Sequence, residues 1–82
     1  MGDMDKILKE LQPYVAGVRY VDGIPVVDAY LKKGWKVPKS KIVSFEIGKN
    51  KRYFMFYSDK EDIGFNEIID YIKIIIKLNI ER

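Results

Sequence analysis

Residues Tyr14 to Leu31 read YVAGVRYVDGIPVVDAYL, and the pair Asp22-Gly23 at the centre of this stretch decides how the chain folds. Asp-Gly between two runs rich in β-branched residues is a strong local signal for a two-residue hairpin, because the tight turn that matches strand twist needs positive φ at both central positions. Placing the turn fixes the register, and the register sorts the side chains. Val21 faces Ile24, Arg19 faces Val26, and Gly17 faces Asp28. The alternate set pairs Tyr20 with Pro25, Val18 with Val27, and Ala16 with Ala29. That set is apolar throughout and is expected to face the core, while Arg19 and Asp28 sit diagonally on the opposite face, placed to pair. Pro25 cannot donate to a ladder, so its strand is expected at a sheet edge, at least near its start.

Working outward, Lys41 to Ile47 and Arg52 to Ser58 alternate in the same way around Gly48-Lys49-Asn50-Lys51. A four-residue loop there sets Phe45 opposite Phe54 and Val43 opposite Phe56, and turns Ile42, Ser44, Glu46, Tyr53, Met55 and Tyr57 to the other face. Upstream, Met4, Ile7, Leu8 and Leu11 recur at helical spacing, so Asp3 to Leu11 is expected as a short amphipathic helix that Pro13 stops. The last helix is expected to begin near Asp62 or Gly64 and to run to the end. Asp59, Glu61, Asp62 and Glu67 cluster at its start, where the helix dipole favours acids. The predicted fold is α+β in a single domain of 82 residues. It has a four-stranded, mostly antiparallel sheet of two β-hairpins, a short N-terminal helix and a long C-terminal helix packed on one face.

Winding the last helix puts Asn66, Glu67, Asp70, Lys73, Lys77 and Glu81 on a narrow polar strip interrupted by Ile74. The remaining apolar arc spans roughly 200°, against the ~100° stripe expected of a helix packed on one surface. Either the N-terminal helix and the sheet clamp it from two sides, or Tyr71, Ile74 and Leu78 dock onto another protein, first of all a second copy. The second reading is favoured, because each large aliphatic left exposed forgoes ~1.5–3 kcal/mol of burial. Asn79 falls near the middle of the apolar arc. One buried amide there can fix register or oligomeric state; if the helix frays, the same side chain is simply wet. Asn79-Ile80-Glu81-Arg82 offers no glycine or proline to end the helix, the pattern of a longer chain with a C-terminal helical extension.

The stretch Phe54-Met55-Phe56-Tyr57-Ser58-Asp59, followed by Ile63-Gly64-Phe65-Asn66-Glu67-Ile68-Ile69-Asp70-Tyr71-Ile72 and ending Asn79-Ile80-Glu81-Arg82, resembles small uncharacterised proteins of large tailed phages. The resemblance covers the C-terminal third to half and contains no catalytic motif. It implies a binding role, in the host cytoplasm or the virion, and a helix that continues into a charged tail.

Histidine, cysteine and threonine are all absent. The usual general base near neutral pH, the thiolate nucleophile and the best transition-metal ligands are therefore missing, and no catalytic residue, metal or cofactor is expected. Asp59, Glu61, Gly64, Glu67 and Asp70 approximate the spacing of an EF-hand loop. Ile63 stands where an oxygen ligand belongs, however, so helix N-terminal acids explain the cluster more simply. The longest apolar run is Ile74-Ile75-Ile76, far short of a bilayer span, and no signal peptide precedes it, so the expected setting is cytoplasmic with no membrane contact.

Charge is uneven. Lys32, Lys33, Lys36, Lys39 and Lys41 surround Trp35 with no acid among them, while the whole chain carries only +3. Such a loop can hold phosphates while the indole stacks on a base, and Arg52, Tyr53 and Tyr57 extend the surface, so a small nucleic-acid binder is the alternative. The competing reading makes Trp35 a lid on the sheet and the lysines its solubilising flank.

Overall fold

Asp22 and Gly23 take φ values of 52° and 80°, the pair of positive angles that a type I′ turn demands. In the computed structural model, which describes Leu11 and residues 13–80, this turn joins strands β1 (Val15–Val21) and β2 (Ile24–Tyr30). From the turn back to Gly17 the register is the expected one. There it slips: Val15, not Ala16, stands opposite Ala29. A bulge adds one residue to one strand and so reverses which side chain points inward. Here it buries Val15 and leaves Ala16 exposed, giving the larger apolar group to the core. The ladder resumes beyond it, where Tyr30 N–H donates to the Tyr14 carbonyl at 2.7 Å.

Strands β3 (Ser44–Ile47) and β4 (Tyr53–Tyr57) form the second hairpin. Phe45 lies opposite Phe56, and Ile47 opposite Phe54, whereas the sequence pattern set Phe45 against Phe54 and Val43 against Phe56. The four-residue loop is thus Lys49 to Arg52, closed by Gly48 N–H to the Tyr53 carbonyl at 2.8 Å. Asn50 selects this frame: its Oδ1 accepts from the N–H groups of both Arg52 and Tyr53 at 3.0 Å. Lys51 supplies the left-handed residue, with φ 59°. Each residue's opposite number moves by two, so the faces survive: Phe45, Phe54 and Phe56 still point inward together.

The sheet order is β1-β2-β4-β3, with every neighbouring pair antiparallel. Strand β2 is therefore central and not an edge along its length; the edge expected from Pro25 holds only near its start, at Ile24 and Pro25. Pairing of β2 with β4 begins only at Val26, opposite Tyr57. In the alternating antiparallel ladder, Val21 and Ile24 close the turn as a hydrogen-bonded pair, so Pro25 directs its nitrogen away from β1. It points past the end of β4, whose pairing with β2 stops at Tyr57.

Helix α1 (Phe65–Ile80) lies over one face of the sheet and is the single helix among the described residues. Glu67 Oε1 accepts from Gly64 N–H at 2.7 Å, which caps its first turn. Ile68, Ile69, Ile72 and Ile75 are fully buried in one cluster with Val27, Ala29, Phe54 and Phe56. The helix expected over Asp3–Leu11 lies outside the described residues, apart from Leu11, which is buried in that same cluster.

Candidate interaction surfaces

Covering one sheet face with α1 leaves the opposite face uncovered by any element among the described residues, and the helix with an outward side of its own. The four residues expected at an interface on α1 divide into two pairs. Tyr71 is core: it is only 8% exposed, its ring stands edge-on to Phe56 at 5.8 Å, and its hydroxyl donates to the Pro38 carbonyl. Burial pushes its phenol pKa up. Asn79 is partly exposed, with its side-chain amide bonded within the fold. Its Oδ1 accepts from Lys36 N–H and its Nδ2 donates to the Lys36 carbonyl, both at 2.8 Å, with a further bond to the Ile75 carbonyl at 2.7 Å. Ile74 and Leu78 keep their exposure, at 57% and 46%. One helical turn apart, they form an apolar ridge with Lys73 and Lys77 along one side.

The uncovered sheet face carries a polar network over an apolar floor. Arg19 Nε and Nη2 donate to the two carboxylate oxygens of Asp28 at 2.8 and 3.2 Å, the diagonal pair expected from the turn. Tyr53 adds its hydroxyl to Asp28 Oδ1 at 2.7 Å. Burial pushes the Asp28 carboxyl up, but the bonds from Arg19 and Tyr53 together outweigh it and hold the pKa below its ordinary value. The same bonds raise the pKa of Arg19 and of the Tyr53 phenol. Beside the network is a depression of about 360 Å³, floored by Ile24, Val26 and Met55 and rimmed by Val21, Asp22, Glu46 and Tyr57, with Arg19 on its wall. Val26 is only 6% exposed although it points away from α1. The alternation that assigned Arg19 and Asp28 to this face also put Val21, Ile24 and Val26 there. Their convergence with Met55 depends on the β2–β4 pairing, which no local turn specifies.

The basic residues are divided between two places in the fold. Leu31 N–H donates to the Arg52 carbonyl at 2.9 Å, which brings Lys32 and Lys33 beside Arg52 at one end of the sheet. The rings of Tyr30 and Tyr53 pack at 5.1 Å on the open face at that end. Tyr57 lies at the other end of β4, on the depression. Lys36, Lys39 and Lys41 are exposed on the connecting strap that Asn79 and Tyr71 hold against α1. Trp35 is partly buried against the core, with its ring 5.3 Å from that of Tyr14; it is the lid, not a presented stacking group.

Among the described residues, no group of three or more acidic side chains gathers in a way that could hold a metal ion, and no helix is long and apolar enough to cross a membrane. No family model, curated protein or solved structure matches this chain.

Proposed function

We propose that this chain is a non-enzymatic protein–protein interaction module that self-associates through α1. The observation that carries the reading is the Ile74–Leu78 ridge. The other candidate contacts on the helix are satisfied within the fold, and these two aliphatic side chains are not. Burying their exposed parts recovers a fraction of the ~1.5–3 kcal/mol that each is worth when fully enclosed. Light scattering at micromolar concentration is expected to give a dimer or larger, and Ile74→Lys or Leu78→Lys a folded monomer. A monomeric parent chain removes the reading.

A second reading has its own observation, the backbone bond from Leu31 to Arg52, which sets Lys32, Lys33 and Arg52 at the end of the sheet that carries the Tyr30–Tyr53 pair. These groups suit a single strand of nucleic acid, phosphates on the cations and a base on the rings. A gel-shift titration separates it from the first. Replacing Lys32 and Lys33 with Gln is expected to weaken binding about tenfold or more and flatten its salt dependence. Binding indifferent to both lysines, or none at low salt, rejects it.

A further inference from the structure

We infer that the α1 ridge of one copy seats in the depression on the open sheet face of the next, so that association runs head-to-tail. The inference rests on the self-association proposed above and names what the ridge binds.

The two surfaces lie on opposite sides of the molecule. Helix α1 covers one face of the sheet with Ile68, Ile69, Ile72 and Ile75 turned inward, which leaves Ile74 and Leu78 pointing away from it. The depression is on the other face. One surface is a convex pair of branched side chains, the other a concavity of about 360 Å³ with an apolar floor. A cavity of about 150 Å³ takes a benzene-sized group, so this one has room for both side chains.

Charge points the same way. The rim carries two carboxylates, Asp22 and Glu46, while the Arg19 guanidinium on the wall is already neutralised by Asp28 at 2.8 Å. The ridge carries Lys73 and Lys77 along one side, and Asp70 one turn before Ile74. An acidic rim around an apolar floor therefore meets an apolar ridge whose flank carries two cations against the single acid Asp70. A helix-to-helix contact leaves the depression open in every copy, whereas head-to-tail docking covers both apolar surfaces with one interface. Such a contact is heterologous: unless the rotation between copies closes a ring, it continues to larger particles.

Complementation tests this. One variant loses the ridge (Ile74→Lys with Leu78→Lys) and keeps the face; another loses the face (Val21→Lys with Ile24→Lys) and keeps the ridge. Each alone is expected to be a folded monomer by circular dichroism and sedimentation. Their equimolar mixture is expected to give a 1:1 pair that grows no further, because only one intact contact remains. If the face variant still associates like the parent, or if the mixture stays monomeric while the parent associates, head-to-tail docking is wrong and the underlying self-association stands. A monomeric parent instead removes the underlying reading. Should the face variant fail to fold, Glu46→Lys on the exposed rim serves in its place. It is expected to weaken parent association about tenfold, equivalent to ~1.4 kcal/mol, and an unchanged affinity overturns the docking.

Discussion

Asp28 is the residue on which the open sheet face turns. Its folded-state pKa lies below the ordinary value because the bonds from Arg19 and Tyr53 outweigh the effect of burial. A depressed carboxylate contributes stability that is complete above its unfolded pKa, about 3.9, and is lost as pH falls through the lower folded value. Asp28→Asn is therefore expected to flatten the acid limb of thermal stability between about pH 2 and 5; a limb as steep as the parent's counts against this account. The two phenols raised by Asp28 and by burial behave oppositely. Tyr53 and Tyr71 favour the fold while protonated, and that contribution is lost as pH rises through their raised values. Absorbance titration is expected to show a late tyrosinate component that shrinks in Tyr53→Phe and in Tyr71→Phe. The Arg19–Asp28 diagonal was legible in the sequence because a single local turn sets it. Tyr53 was not, because it reaches Asp28 only once β4 pairs with β2.

At the level of elements, the sequence pattern marked all four strands but began β3 three residues early, at Lys41 in place of Ser44, turned Ala16 to the wrong face, and missed two details of register, each for a local reason. The bulge at Ala16 follows from which of two neighbouring side chains fills the core better, and alternation by itself is blind to side-chain size. The slip in the second hairpin follows from Asn50, whose side chain accepts two backbone bonds only in the observed frame. Asn50→Ala removes both, and at about 1 kcal/mol each, less for their exposure, the cost is expected to be about 1–2 kcal/mol. Differential scanning calorimetry reads this as a fall of about 4–8 °C in Tm per kcal/mol. Gly48 in the same turn has little tolerance: a Cβ there meets the Tyr53 ring at 3.0 Å and the Tyr53 Cβ at 3.3 Å. Gly48→Ala is expected to displace Tyr53 from Asp28 and so to reproduce part of the altered acid limb seen in Asp28→Asn. The helix was legible from Gly64 onward, its N-terminus marked by the carboxylate that caps it. Which of its apolar residues remain outside was only half legible. Tyr71 and Asn79 are claimed by the strap of residues 32–43, and irregular chain leaves no periodic trace from which its contacts can be read.

Viewed whole, the described chain is a two-layer slab, one helix on four strands, in which the sheet has an uncovered side and the helix an uncovered ridge. The α+β architecture followed from two hairpin signals and one amphipathic segment. The opposed placement of the two apolar surfaces did not, because it depends on which face of the sheet α1 chooses. Head-to-tail association leads to a concentration-dependent rise in mean particle mass beyond the dimer, measurable by sedimentation, where a helix-to-helix contact plateaus at two. The bonds between Asn79 and Lys36 carry a kinetic consequence. The Lys36 amide proton is held by a side chain 43 residues away, so it exchanges with solvent deuterons when the contact between the strap and the last turn of α1 opens. Its exchange rate is then a clock for the opening of that contact, kept by a residue outside the helix. In Asn79→Ala the clock is expected to run faster at Lys36 while the amides of Ile68 and Ile72 keep their protection; slowed or unchanged exchange at Lys36 contradicts the coupling.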